Sequence, residues 1–303
     1  MTSTADMVLK VLSEVQIIPD YRPYVKKHSF PEVRCSFWLL AWANGCLYNC
    51  DYCWLKAYHP WPWNEVHVAD KPALTRVLEE FCAKISGSLL LNAGELCDSF
   101  IIPEYVVFMA ETLRLTNDVH GRRHRLLLLT KSADPRVLVE NDLQDVVVYS
   151  ASINAEPEAR DLEKGAPSPV ERILAARRVK EAGYEVRIRV DPIIEGSDQG
   201  YLELVERVCS TVEPGLITLG SLRATPRTYR LLPDRMKAQL TERTPWGRGY
   251  PLETRLGTYS ALIDVGRDHD VPMALCKESP DVWRRLKLRG PCNCMSSGGG
   301  GVR

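Results

Sequence analysis

Three cysteines, Cys46, Cys50 and Cys53, fall in the single run Cys-Leu-Tyr-Asn-Cys-Asp-Tyr-Cys. A loop this short gathers three thiolates around one point, so the chain must fold to present that loop to a metal centre. The spacing suits three irons of a cubane [4Fe–4S] cluster and leaves the fourth iron without a protein ligand. A four-thiolate site would serve electron transfer or structural zinc, whereas an open corner is built to bind something else. Zinc is the alternative, and it asks for a fourth Cys or His at a matching spacing. His59 is near, but the intervening Trp-Leu-Lys-Ala-Tyr is not a zinc-finger loop.

The 303 residues suffice for one large α/β domain, and the apolar content is ordinary for a globular core. Lysine plus arginine equals aspartate plus glutamate, so the formal net charge is zero. This weakens the case for a protein that coats nucleic acid, which needs surplus positive charge. Local arginine runs occur, at Arg122, Arg123 and Arg125 and at Arg284, Arg285 and Arg289, and read as solvated faces. No apolar run spans a bilayer, and no signal peptide opens the chain. Ten cysteines without a secretory signal point to metal ligands and reactive thiols, hence to a reducing cytoplasmic location without membrane contact.

Beyond residue 35, apolar runs alternate with amphipathic stretches. Strands are expected at 36–42, 88–92, 124–130, 145–152, 184–190, 216–219 and 271–275. Helices are expected at 71–85, 103–115, 134–139, 168–182, 199–212, 226–240 and 255–269. Repeated β-then-α units imply a parallel sheet with helices outside, and six such units fit a partial (β/α)6 barrel. The expected organisation is an N-terminal extension at 1–34, the barrel at 35–275 and a cysteine-containing C-terminal tail at 276–303. The tail contains four consecutive glycines, Gly298 to Gly301. In such barrels the loops at the C-terminal strand ends carry the chemistry.

Polar groups recur at those ends. Asn92-Ala93-Gly94-Glu95 follows the second strand, where a glycine allows close backbone approach and the carboxylate can accept from an ammonium. Thr130-Lys131-Ser132 follows the third, with a lysine able to pair with a carboxylate. Ser152-Ile153-Asn154 follows the fourth and offers short groups suited to ribose hydroxyls. Arg189-Val190-Asp191-Pro192 follows the fifth. Four such clusters at one barrel mouth weigh more together than any one alone.

The cysteine run, with Tyr52 before its third cysteine, resembles the signature of the radical S-adenosylmethionine (SAM) superfamily. Asn92-Ala93-Gly94-Glu95 resembles that superfamily's Gly-Gly-Glu motif in part, because Ala93 replaces the first glycine. More narrowly, Leu-Thr-Lys-Ser, Ser-Ile-Asn-Ala-Glu, Glu-Ala-Gly-Tyr-Glu-Val, Asp-Pro-Ile-Ile and Pro-Trp-Gly-Arg-Gly-Tyr resemble the spore photoproduct lyase family in order and content. The likeness covers residues 36–260. It implies a radical SAM lyase of the kind that reverses a methylene-bridged thymine dimer in DNA. It implies that Cys46, Cys50 and Cys53 hold a [4Fe–4S] cluster, and that Gly94, Glu95, Lys131, Ser152 and Asn154 line SAM. It also implies a low-potential electron donor of flavodoxin or ferredoxin type. Cys97 lies where the lyase carries the cysteine that returns a hydrogen atom to the product radical. The loop departs from the lyase in reading Cys-Asp-Tyr-Cys-Trp, followed by Trp61 and Trp63 with His59 among them. These aromatics could shield the cluster from water or stack a base.

The last cysteines, Cys276, Cys292 and Cys294, could hold a second metal or cluster with Cys35 or His269 as a fourth ligand, or simply lie buried and reduced. Two other functions fit the same features: a radical SAM enzyme acting on a nucleotide, RNA or small metabolite, and a non-catalytic iron–sulfur redox or regulatory protein. A pure electron carrier has no use for an unligated iron, for Gly94-Glu95 or for Lys131.

Overall fold

The computed structural model describes residues 8–11, 15–19, 38–58, 62–63, 65–244, 246–290 and 292–294. Cys35, His59, Trp61 and Gly298 to Gly301 lie outside them, as does most of the expected N-terminal extension.

Eight strands form the main sheet: β1 (Gln16–Pro19), β2 (Trp38–Ala41), β3 (Leu90–Asn92), β4 (Arg125–Thr130), β5 (Val147–Ser152), β6 (Glu185–Ile193), β7 (Leu216–Ser221) and β8 (Met273–Leu275). Their order across the sheet is the order of the chain. Strands β2 to β8 are all parallel, and β1 adds to the edge of β2 antiparallel. Six crossovers join the seven parallel strands, and the sheet curls into a half-barrel, as the repeated β-then-α pattern implies. Both faces of β5 and β7 are buried along their whole length, as inner strands of a parallel sheet are.

The main helices are α1 (Lys71–Lys84), α2 (Pro103–His120), α3 (Pro169–Glu181), α4 (Asp198–Val212) and α5 (Leu252–Asp268). Helix α1 turns Leu74, Leu78, Phe81 and Cys82 inward at helical spacing. Helix α3 opens on a capping box: the Glu171 amide donates to Ser168 Oγ at 3.3 Å and the Ser168 amide to Glu171 Oε2 at 2.7 Å. The helix expected over 226–240 is instead two short ones, Pro226–Leu231 and Asp234–Lys237. Pro233 separates them, because its ring fixes φ and it has no amide to donate.

The described part of the expected tail packs into the barrel. Cys292, Asn293 and Cys294 are buried, and they plug the inside of the sheet. Ser150 Oγ on β5 donates to Asn293 Oδ1 at 3.2 Å, Arg187 on β6 donates to the Asn293 carbonyl, and Asn92 Nδ2 on β3 donates to Cys294 Sγ at 3.5 Å. Among the described residues no helix is long and apolar enough to cross a membrane.

Candidate active site

A cavity of about 470 Å³ opens at the C-terminal ends of the parallel strands. That volume is within the range of cofactor and small-molecule sites, roughly 300–1,000 Å³. Its wall includes Cys46, Cys50, Cys53, Gly94, Glu95, Cys97, Lys131 and Ser152. Of the expected site residues only Asn154 is elsewhere. It is buried behind the wall, where its Oδ1 accepts from the Tyr201 hydroxyl at 2.5 Å and from the Ala155 amide.

The cysteine loop is fastened at three points. The Gly45 amide donates to the Leu96 carbonyl at 3.0 Å, the Cys53 amide closes a turn onto the Cys50 carbonyl at 3.2 Å, and the Asp51 amide donates to the Leu162 carbonyl at 2.8 Å. Asn49 and Cys50 also pair antiparallel with Lys164 and Glu163. Burial is the main cause that raises all three thiols, and it pushes Cys50 up to about 12. Asp98 adds to the rise at Cys46. Thiolates in this loop therefore need positive charge beside them, which iron would supply. Among the described residues no three His, Cys, Asp or Glu side chains could hold one metal ion, and this applies equally to the loop triad and to Cys276, Cys292 and Cys294. In a cluster each sulfur of the triad would bind its own iron.

Opposite the cysteines, Lys131 Nζ donates to Ser152 Oγ at 3.1 Å and lies 5.8 Å from the centre of the Tyr52 ring. Burial pulls its ammonium down, but Glu163 and the Cys50 sulfur hold it above the usual lysine value. Glu95 pairs with Lys277 at 3.2 Å. Burial pushes the Glu95 carboxyl up, and Lys277 and Arg189 outweigh it, so Glu95 stays ionised. Gly94 has no room for a side chain. A Cβ there would lie 2.6 Å from Leu129 Cβ and 2.7 Å from the Leu129 carbonyl oxygen. Its amide donates to Asn92 Oδ1 at 2.9 Å. The Asn92 side chain thus links the Gly94 turn to Cys294 in the plug.

Cys97 faces the cavity but is mostly covered, with Sγ 3.4 Å from the Ala93 carbonyl oxygen. Burial, then the neighbouring Asp98, push its thiol far above its usual value, so the S–H is retained. Asp98 itself is buried, accepting from Thr130 Oγ1 at 2.7 Å and from the Lys131 amide at 2.6 Å.

The far wall is a charged cluster that Arg189-Val190-Asp191-Pro192 foreshadows only in part; the strand expected to end at residue 190 continues to Ile193, so this segment lies within β6. Arg189 and Arg223 meet Asp191 at 2.7 Å and 3.3 Å. Arg189 also donates to Cys276 Sγ at 3.4 Å. Arg223 and Lys277 come from later segments with no motif to mark them, whereas Trp246 belongs to the Pro-Trp-Gly-Arg-Gly-Tyr segment; Lys277 lies 4.9 Å from the centre of the Trp246 ring. Trp54 and Tyr58 add aromatic surface near the cysteines, their rings 5.9 Å apart. Trp63 sits under the Lys56 ammonium and does not line the cavity. His269, one suggested fourth ligand for the later cysteines, pairs with Glu206 at 2.8 Å.

The profile of the spore photoproduct lyase family matches residues 29–218, more than half of the 303. The chain belongs to the spore photoproduct lyase family. Solved structures agree in fold. A spore photoproduct lyase complexed with dinucleoside spore photoproduct superposes with a TM-score of 0.69 at 18% identity, covering 89% of this chain and 81% of that one. A mutant spore photoproduct lyase with bound SAM and the same dinucleoside gives 0.68 at 18% identity with the same coverage. SuiB of Streptococcus suis bound to SAM gives 0.52 at 14% identity, covering 86% of this chain and 54% of that one. No individually curated protein matches the chain. The family is one of radical SAM lyases, with SAM and a [4Fe–4S] cluster as its cofactors.

Proposed function

We propose that this family member cleaves the methylene-bridged thymine dimer, the spore photoproduct, with Cys46, Cys50 and Cys53 holding the cluster. The supporting observation is the meeting, in one cavity, of three thiols from one loop with Lys131, Glu95 and Cys97. Matched solved relatives carry the dinucleoside lesion and, in one case, SAM. When bound, the cluster and SAM supply a 5′-deoxyadenosyl radical that abstracts hydrogen from the lesion. The protein's own residues orient and protect. Lys131 meets the SAM carboxylate, Ser152 faces the ribose, and the bare Gly94 turn lets the backbone approach. Glu95 offers its carboxylate to the SAM ammonium, shared with Lys277. Trp54, Tyr58 and Trp246 exclude water and present flat faces to a base. Cys97 returns a hydrogen atom from its retained S–H to the product radical, leaving its own sulfur as a thiyl.

Substrate DNA and a low-potential flavodoxin- or ferredoxin-type donor are the partners of this reading. A second metal at Cys276, Cys292 and Cys294 is not part of it. The plug contacts of Cys294 and the Arg189 contact of Cys276 give those residues a packing role.

Lys131→Ala and Glu95→Ala test the SAM pocket. Each removes one charge-assisted contact of roughly 1.5–3 kcal/mol. Each should raise the SAM dissociation constant about tenfold or more while iron content stays at the wild-type level. Equilibrium binding of SAM to anaerobically reconstituted protein measures this. Wild-type affinity in both variants would place SAM elsewhere.

A further inference from the structure

One buried carboxylate outside the expected site joins its two halves. Glu163 is 3% exposed and Arg172 is 0% exposed. Three groups from three parts of the chain converge on the Glu163 carboxylate. Tyr52, inside the cysteine loop, donates its hydroxyl to Oε1. Arg172, on α3, pairs with Oε2 at 2.6 Å. Lys131, at the end of β4, lies 3.9 Å from Oε1. The Glu163 backbone meanwhile pairs with Cys50. A single residue thus grips the cysteine loop by main chain and side chain, and the oxygen that accepts from Tyr52 also faces the lysine.

The charges indicate what this arrangement achieves. Two cations face one carboxylate. Arg172 makes the close pair and is further fixed by the Pro167 carbonyl at 2.8 Å and the Ser152 carbonyl at 3.0 Å. Lys131 stands off at 3.9 Å and donates instead to Ser152 Oγ. Its ammonium is held in place without being neutralised, so it stays available to a second carboxylate. An unpaired lysine this buried would tend to lose its proton, and Glu163 opposes that.

We propose that Glu163 is the positioning residue of the cofactor pocket, fixing the Lys131 ammonium and the Tyr52 side of the cysteine loop in one geometry. This rests on the reading that Lys131 meets the SAM carboxylate beside a cluster on the cysteine triad. Glu163 touches neither cofactor and acts through its neighbours.

The test is a double-mutant cycle on SAM affinity, with iron content and melting temperature recorded for every variant. Glu163→Gln should keep its iron and weaken SAM binding about tenfold, as expected for loss of one charge-assisted contact. Added to Lys131→Ala, it should cost little more, because its effect runs through the lysine. A residue that only supports the fold would lower the melting temperature and contribute independently of Lys131. Glu163→Gln also strands the Arg172 charge in the interior. The pair Glu163→Gln with Arg172→Met removes both charges and serves if the single variant does not fold. Wild-type SAM affinity in a folded, iron-loaded variant lacking Glu163 overturns the proposal, as does a full, additive loss on the Lys131→Ala background. Unchanged affinity in Lys131→Ala itself would overturn the underlying reading of the lysine and the proposal with it, a result distinct from either of these.

Discussion

Alanine at any one of Cys46, Cys50 or Cys53 should abolish both the [4Fe–4S] signal and SAM cleavage. The three thiols come from one loop, line one cavity and are each pushed upward by burial. Two remaining sulfurs leave a second iron without a protein ligand, and a cubane held at only two corners is labile. Deoxyadenosine formation should fall to background, not by a modest factor. Iron and sulfide analysis with electron paramagnetic resonance reads the first loss, and chromatography of the SAM products reads the second. The protein itself should remain folded, because the main core clusters around the sheet and does not include these cysteines. A single variant that keeps a SAM-responsive cluster would rule out the triad.

Replacing Cys97 should have an equally large effect of a different kind. Cys97→Ala should still form deoxyadenosine and still open the lesion, but the product radical should lose its clean quench. Adducts and by-products should then replace most of the repaired thymines. The thiol suits this role because burial keeps it protonated, and only the S–H form donates hydrogen. It also packs in the core, so its loss leaves a small cavity and should lower stability modestly. Mass spectrometry of the products separates the two roles. A normal product pattern would reduce Cys97 to packing and leave the cluster and SAM residues untouched.

Much of this site can be read from the residues in order. The cysteine spacing, the glycine-acid turn at Gly94 and Glu95, and the lysine after β4 are all local signals. Each sits at a strand end, where a parallel half-barrel gathers its loops. The cap at Ser168 and Glu171 is similarly local. What escapes is set by long-range contact. Tyr52 and Glu163 meet across 111 residues, and nothing in either neighbourhood announces the other. Lys277 reaches Glu95 across 182 residues. Asn154 shows the converse limit. Its position after β5 reads like that of Ser152, but Ser152 fronts the cavity while Asn154 turns back to Tyr201. Cys292 and Cys294 carry a ligand-like spacing, but both are buried, and Cys294 accepts from Asn92 on β3 beside the Gly94 turn. Spacing alone does not distinguish a thiol that packs from one that binds metal.

The most direct measurement is repair itself. Anaerobically reconstituted protein, reduced with dithionite and given SAM, is incubated with an oligonucleotide carrying one methylene-bridged thymine dimer, alongside undamaged DNA, RNA and small metabolites. The expected result is loss of the lesion and recovery of two thymines, dependent on SAM and on Cys46, Cys50 and Cys53. Deoxyadenosine released with the lesion left intact would contradict the lyase activity, and would direct the same radical chemistry to another substrate.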